Sequence, residues 1–446
     1  MLKRYAVENF SSFEDINYLD LTAGRTEIHP EHVVNFKKVK ILKSAIIYGA
    51  NASGKSNLIK SISFSKDIIL NGLENTDTYK KHFRLDSESI NKPTSFEYQL
   101  ELDDKFFSYG FQAQLNNTKI VEEWLYEINN SVSELIFHRT LDSIHLGKEL
   151  TKDKDTAIRF AIYVDDMKNQ QSQLFLSEIA KKDLNIDCTN HIDKIYSWFK
   201  TKLIIVYPNT VYGGLNSIEK DKDLSKLYKK YLNLFDTGVI DISSIEENFE
   251  NNNSDIPKEI VRDIIKNLKM AKYKSESTVI GPDGTLFSLY LDENSGEIKI
   301  RKLGLVHGDK YKDIFELKDE SDGTRRLFDL IPLLGRFQDS DFTIIIDEFD
   351  RSLHPKLTKS YFELFYHLNN LKNQLIVTTH ESTLLDLDLL RRDEIWFVEK
   401  NKNGASKIYP LSKFKIRYDS KLNKAYLLGR YGAIPMFNKI FEEIDN

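Results

Sequence analysis

The chain has 446 residues, 63 basic and 68 acidic side chains, a formal net charge of −5 and one cysteine. That length is ample for two or three domains with buried cores, and the charge balance excludes a chain-wide basic coat for nucleic acid. The lone Cys188 excludes an intramolecular disulfide framework and a multi-cysteine metal cluster, and is expected to be a small buried hydrophobe.

No apolar run approaches the roughly 18 residues of a membrane span, and the opening MLKRYAVENFSSFEDI has no signal-peptide-like core, so a cytoplasmic protein is expected. In chain order, Tyr5-Ala-Val-Glu-Asn-Phe10 reads as a short strand before the Ser11-Ser12-Phe13 turn. INYLDLTA at 16–23 reads as a second strand, pairing with the first as a hairpin at a sheet edge. ILKSAIIYG at 41–49 is a compact apolar strand of the kind covered on both faces. After a glycine-containing loop, KSNLIKSISFSKDIIL switches to helical spacing. From 95 to about 140, SFEYQLELDD, KFFSYGFQAQLNN and KIVEEWLYEI alternate between Asp, Asn and Lys turns and predict an antiparallel sheet beside the main one.

From about 165 to 275, QSQLFLSEIAKK, HIDKIYSWFKTKL, LSKLYKKYLNLF and PKEIVRDIIKNLKMA carry apolar residues three and four apart, predicting an inserted helical module. NFENNNSDIPKE at 248–259 is its strongest loop signal. LFSLYLDENSGEIKIRKLGLVH at 286–307 predicts a hairpin turning at Asn294-Ser295-Gly296. DFTIIIDEFD and NQLIVTTHES are two more buried strands, with the helix PKLTKSYFELFYHLNN between them as the crossover of a parallel sheet. The expected domains are 1–164 and 276–405 as two parts of one body, 165–275 as the helical insertion, and 406–446 as a tail packed on that body or on a partner. No internal repeat is found, and the helices of the insert are too short for a long coiled-coil arm.

Gly49-Ala-Asn-Ala-Ser-Gly-Lys-Ser56 fits the phosphate-loop pattern, with the required strand before it and helix after it. Gly49 and Gly54 let the loop wrap its N–H groups, with Asn51, Ser53 and Asn57, around phosphate oxygens. Lys55 reaches the outer phosphates of ATP, the Ser56 hydroxyl holds Mg2+, and the helix presents its N-terminus to the anion. TIIID carries Asp347 to the end of a strand as a second magnesium-organising group, and Glu348 follows as acceptor of a proton from an attacking water. In LIVTTHES, His380 ends another apolar strand, where it can donate to the γ-phosphate and report nucleotide state.

The set GANASGKS, ESDGTRR, IIIDEFDRSLHP and IVTTHES resembles the ATP-binding-cassette type of ATPase head of the structural-maintenance and recombination-repair ATPases. It resembles most the prokaryotic AAA ATPases of phage-defence and abortive-infection systems, including overcoming-lysogenization-defect-like proteins. The resemblance covers residues 1 to about 65 and 315 to 400. It implies an α/β fold: a P-loop NTPase of ATP-binding-cassette head type, with a mixed sheet, an adjoining antiparallel sheet and an inserted helical module. It also implies that Ser321 and Gly323 form a signature loop, Asp347 the magnesium carboxylate, Glu348 the catalytic glutamate, His380 the switch histidine, and Asp350 to His354 the loop crossing a dimer interface. The signature reads Glu-Ser-Asp-Gly-Thr rather than the Leu-Ser-Gly-Gly-Gln of transporters. Gln99, Gln112 and Gln114 all lie in the strand-rich region, and none is assigned to a glutamine loop.

Such heads work in pairs, so the resemblance implies ATP sandwiched across a two-fold interface in a homodimer or larger homo-oligomer. It also implies a separate effector, a TOPRIM-like nuclease, and a tail, YLLGRYGAIPMF at 426–437, like the ending of these ATPases. No second catalytic centre is expected: Asp165, Asp166, Glu178, Asp183, Asp187 and His191 read as a solvated helical face rather than a metal cluster. Arg325-Arg326 and Lys229-Lys230, with Tyr228 and Tyr231, offer a possible DNA contact, with a charged helical surface as the simpler reading. A phage-protein contact stays open. The rival function is a DNA-repair or DNA-organising ATPase that clamps duplex directly, and a third is a nucleotide-dependent binding module without turnover.

Overall fold

The computed structural model describes residues 1–37, 39–129, 133–182, 184, 187–212, 218, 221–248, 262, 266, 276–280, 286–292, 295–369, 371–415 and 421–434. The chain divides into two compact units. The first is Met1–Pro208 with Ser340–Asp350 and Asn369–Asn446; the second is Asn209–Asp339 with Arg351–Leu368.

The first unit is built on a six-stranded sheet in the order Leu203–Val206, Thr343–Ile346, Gln374–Thr378, Ser44–Tyr48, Ile395–Lys400 and Ser406–Pro410. The first five strands are parallel and the last is antiparallel. The three central strands are buried at every position, as unbroken apolar runs covered on both faces require. Helix Lys55–Asn71 leaves the strand Ser44–Tyr48 and buries Leu58, Ile59, Ile62, Ile68 and Ile69, each worth about 1.5–3 kcal/mol when removed from water.

A seven-stranded antiparallel sheet belongs to the same unit, with Asn17–Asp20 at one edge beside Leu2–Glu8 and Thr94–Leu102. Thr94–Leu102 and Lys105–Gln114 are joined by Asp103-Asp104, at φ 53° and 61°. Two successive left-handed residues match the twist of a two-residue hairpin. This sheet meets the helix through Tyr5, which donates to Ser61 Oγ at 2.8 Å, and through Tyr98, 2.5 Å from Ser65 Oγ.

The second unit pairs a five-stranded antiparallel sheet with the helices Lys222–Leu234, Asp322–Asp339 and Pro355–Leu368. Leu286–Leu291 and Ile298–His307 form the expected hairpin, closed by Gly296 at φ 70° and its N–H on Asp292 O at 2.8 Å; Asn294 lies outside the described residues. Pro332 sits inside the helix Asp322–Asp339 and has no N–H for the carbonyl of Phe328. The Tyr228 hydroxyl fills that vacancy at 2.6 Å, with its ring stacked on Phe328. Orphaned backbone acceptors in a core need such a donor.

The region from about 165 to 275, read from sequence as a helical module, also contains two strands. Leu203–Val206 follows a π-turn, Trp198–Lys202, and edges the parallel sheet beside Thr343–Ile346. Val239–Asn248 pairs with Ile298–His307 across a register shift at Val239/Asp241. Both owe their conformation to distant partners, which override local periodicity. PKEIVRDIIKNLKMA and NFENNNSDIPKE fall almost wholly outside the described residues, as does the tail from 435. Among the described residues no helix is long and apolar enough to cross a membrane.

Candidate nucleotide site

Residues 49–56 join the strand Ser44–Tyr48 to the helix Lys55–Asn71. Ala52 at φ 59° and Gly54 at φ 116° take left-handed backbone to close the loop. A Cβ on Gly54 would lie 2.3 Å from Ser406 Oγ, and one on Gly49 2.5 Å from the Val398 carbonyl, so neither position accepts a side chain without movement. A clasp from both ends of the sequence holds the loop. Ser406 Oγ is bonded to Ser12 Oγ at 2.8 Å and to Ser53 O at 2.6 Å, and Asn57 Nδ2 donates to Ser12 Oγ at 2.8 Å. Asn51 is exposed. Ser53 Oγ is buried and has no hydrogen-bond partner among the described residues.

Lys55 is 6% exposed and curls back to donate to the carbonyls of Gly49 at 2.7 Å and Ala50 at 3.2 Å. Burial pushes its ammonium down to about 8, against the opposing pull of Asp347, Asp350 and Glu348. Its charge is thus held within the loop, at the place where an anion would share it.

The parallel order sets the carboxyl ends of Thr343–Ile346, Gln374–Thr378 and Ser44–Tyr48 side by side, the crevice where open α/β sheets take ligands. Asp347, 3% exposed, accepts from Ser56 Oγ at 3.2 Å and from Thr378 Oγ1 at 2.6 Å, both on Oδ1. These oxygen-only groups fit a hard cation such as Mg2+. Glu348 is half-buried at φ 48°, and its N–H donates to Thr378 Oγ1 at 2.8 Å. A left-handed non-glycine residue costs on the order of 1–3 kcal/mol and collects at functional sites; the threonine bond helps hold it. His380 is exposed, and its N–H points to the Asp350 carboxylate at 3.3 and 3.4 Å. Its imidazole titrates below the usual histidine range, first through desolvation and then through the Lys55 charge.

The first unit therefore gathers Gly49, Ser53, Gly54, Lys55, Ser56, Asn57, Asp347, Glu348 and His380 around one crevice. Ser321 and Gly323 belong to the second unit. Ser321 Oγ caps the helix Asp322–Asp339 by accepting the N–H of Thr324 at 3.1 Å. A Cβ on Gly323 would stand 2.9 Å from the Ser352 carbonyl, so the glycine lets this helix start lie against the loop that follows the acidic pair. Ser352 itself is left-handed, at φ 62°.

Sequence reading missed Thr378, Ser12 and Ser406. Thr378 had a signal in the doublet before His380, since a hydroxyl at the end of a buried strand needs a partner. Ser12 and Ser406 had none, being 394 positions apart. Other candidates resolve into structure. Tyr228 and Tyr231 are buried, Arg326 is 4% exposed, and Lys229 pairs with Asp241 at 2.6 Å, so those aromatic rings offer no surface to bases. Asp165 pairs with Lys168 at 2.7 Å, and His191 packs on Phe107; the side chains of Asp183 and Asp187 lie outside the described residues. Gln99 bonds Lys3 and Glu97 on the antiparallel sheet. Cys188 is half-buried against the core.

The chain is 25% identical over 376 residues to the "Retron Vc95 probable ATPase" of Vibrio cholerae serotype O1 biovar El Tor, covering 78% of this chain and 69% of that protein. Among solved structures, an Smc head bound to the C-winged helix domain of ScpA aligns over 92% of this chain and 97% of its own, at 13% identity and a TM-score of 0.40. The SMC head domain from Thermotoga maritima covers 93% and 99%, at 12% identity and a TM-score of 0.38. The family model described as "AAA domain, putative AbiEii toxin, Type IV TA system" matches residues 44–386, from the strand that enters the phosphate loop to beyond His380, and the chain belongs to that family.

Proposed function

We propose that this protein is an ATPase of an antiviral defence system that binds and hydrolyses ATP at sites shared between protomers and controls a separate effector. The observation that carries the ATPase reading is the convergence of Lys55, Ser56, Asp347 and Glu348 at adjacent strand ends, tied by the bonds of Asp347 to Ser56 and Thr378. Family membership and likeness to a retron ATPase support the defence setting.

In this reading, Lys55 exchanges the Gly49 and Ala50 carbonyls for the outer phosphates, which restore the anionic partner its buried charge lacks. Ser56 and Asp347 would hold Mg2+, which when bound neutralises charge on the β- and γ-phosphates. Glu348 accepts a proton as the water oxygen bonds to the γ-phosphorus and the bridging oxygen leaves with ADP. His380 donates to the γ-phosphate. Ser321, Gly323 and the start of the helix Asp322–Asp339 close over the nucleotide from the partner protomer, using the positive end of that helix. Nucleotide affinity thereby becomes a switch between associated and open chains. The effector implied by the resemblance is a TOPRIM-like nuclease.

The test is to purify the chain with its neighbouring gene product and measure assembly mass and ATP hydrolysis together. ATP-dependent assembly and turnover that Glu348→Gln abolishes are expected. A monomer indifferent to ATP and partner would overturn the reading, and hydrolysis stimulated only by duplex DNA would favour a DNA-clamping ATPase.

A further inference from the structure

Within the second unit, the residue before Ser321 is tied to a strand that has no part in the nucleotide chemistry so far described. Strand Ile298–His307 turns at Gly308, φ 84°, and returns as Asp313–Glu316, paired from Gly304 opposite Glu316 to His307 opposite Asp313. The ladder stops at Glu316. Past it come a single 3-10 turn, Leu317–Asp319, then Glu320 in extended backbone, then Ser321, whose Oγ caps the helix Asp322–Asp339.

Two carboxylates of this approach reach back to the strand the chain has just left. Glu316 Oε1 takes the Lys302 ammonium at 3.1 Å, and Glu320 Oε1 lies 2.5 Å from His307 Nε2. An ionised carboxylate only accepts, so Nε2 carries the proton of this bond. The imidazole is itself placed by packing: it meets Phe315 edge-on with centroids 5.1 Å apart, and a Cβ on Gly238 would stand 3.5 Å from its Nδ1. The helix start is therefore held on two sides, Glu320 by His307 and Gly323 by its close approach to the Ser352 carbonyl.

Charge makes the His307 bond more than a tether. A helix start attracts anions, yet three acidic side chains, Asp319, Glu320 and Asp322, flank Ser321 and would compete with an incoming phosphate. Each is engaged elsewhere. Asp319 Oδ2 accepts the Glu316 N–H at 3.1 Å, Asp322 pairs with Arg325, and Glu320 takes the His307 proton. Asp319 is exposed and the Asp322 side chain is 72% exposed, so water screens both; the Glu320 side chain is 7% exposed, where an uncompensated carboxylate is costly and poorly screened.

We propose, building on the shared-site reading above, that His307 is a positioning residue of the covering half-site. Through Glu320 it sets the aim of the Ser321–Gly323 helix start, and it compensates the buried carboxylate there while the phosphates of the partner protomer's ATP approach.

The experiment measures kcat, KM, equilibrium ATP binding and thermal melting of the full-length chain carrying His307→Phe, His307→Gln, or His307→Phe together with Glu320→Gln. His307→Phe keeps a ring against Phe315 and removes the donor; kcat should fall by about 10²-fold, the scale of a small misplacement of reacting groups, with ATP binding unchanged. His307→Gln keeps a donor where Nε2 stands and should retain most of the turnover. Adding Glu320→Gln to His307→Phe should recover about tenfold, because the uncompensated buried charge is gone, whereas a merely structural defect would deepen with the second substitution. Mixed with Lys55→Ala chains, His307→Phe should return to about a quarter of wild type, as a defect confined to the covering half does in an exchanging dimer. Wild-type kcat in His307→Phe, a loss in His307→Gln as large as in His307→Phe, or a double variant no better than His307→Phe would overturn the proposal. So would failure to recover on mixing while Ser321→Arg mixed with Lys55→Ala does recover. If that second mixture also stays inactive, the shared-site reading fails and the proposal falls with it.

Discussion

Thr378 gives its hydroxyl hydrogen to Asp347 Oδ1 over 2.6 Å while the same hydroxyl accepts the N–H of Glu348 at 2.8 Å. The pairing follows from register, because Ile346 stands opposite Val377 in the parallel ladder and the next residues on each strand emerge together. One side chain thereby orients the carboxylate beside Ser56 and steadies the left-handed backbone of Glu348. Thr378→Val keeps the shape and removes both bonds. Turnover should fall by about 10²-fold, the scale of a 1 Å misplacement of catalytic groups, with a stability loss of about 1–3 kcal/mol from the buried groups left unpaired. Steady-state kinetics across a Mg2+ series, with thermal melts, measures both.

Glu348→Gln retains the size of the side chain and removes the carboxylate proposed to accept the proton of the attacking water. Hydrolysis should drop by about 10²–10⁴-fold while ATP affinity persists, so the nucleotide-bound assembly accumulates. Single-turnover kinetics and equilibrium binding of ATP separate the two effects. Turnover no higher than background in wild type and Glu348→Gln alike, with ATP still bound, would show a nucleotide-dependent binding module in place of an ATPase.

The Lys55 ammonium is depressed to about 8 by burial, from an ordinary value of 10.5. The unfolded chain therefore holds more protons than the folded one between about pH 8 and pH 10.5, and stability rises with pH through that window. Below pH 8 the cost of burying the charge is fully present. Phosphate oxygens return a partner to the ammonium, so ATP binding near pH 8 should draw in up to about half a proton. Calorimetry in buffers of different ionisation enthalpy reads this uptake, and Lys55→Met should abolish it.

Gly323→Ala would push a Cβ to 2.9 Å from the Ser352 carbonyl, a backbone atom that cannot swing aside. The start of the helix Asp322–Asp339 must then shift, at a cost of about 1–3 kcal/mol. ATP binding by the first unit should survive, and hydrolysis should fall if, as proposed, this helix start covers the nucleotide of the partner protomer. Nucleotide affinity measured beside turnover distinguishes this from global unfolding.

Much of this architecture was legible locally. The apolar runs ending at Tyr48, Ile346 and Thr378, and the motifs attached to them, reveal a parallel sheet because strands buried on both faces cannot alternate. Asp347 beside Ser56 followed from the convergence of strand ends. Leu203–Val206 was not legible, because four apolar residues after a helical period carry no independent signal and the strand is fixed by Thr343–Ile346. Nor was the Ser12–Ser406 clasp, in which small side chains from opposite ends of the chain meet under the phosphate loop. Tyr228 read as a surface aromatic, yet the carbonyl orphaned by Pro332 holds it in the core.

In the proposed reading each ATP site needs two protomers. A chain carrying Lys55→Ala and a chain carrying Ser321→Arg are mixed in equal amounts, and ATP hydrolysis is measured against each alone. Both should be inactive separately. In a dimer that exchanges subunits, half the pairs are mixed and each mixed pair rebuilds one intact site, so turnover should return to about a quarter of wild type. No recovery from a mixture verified to contain mixed pairs, or full activity of Ser321→Arg alone, would contradict the account.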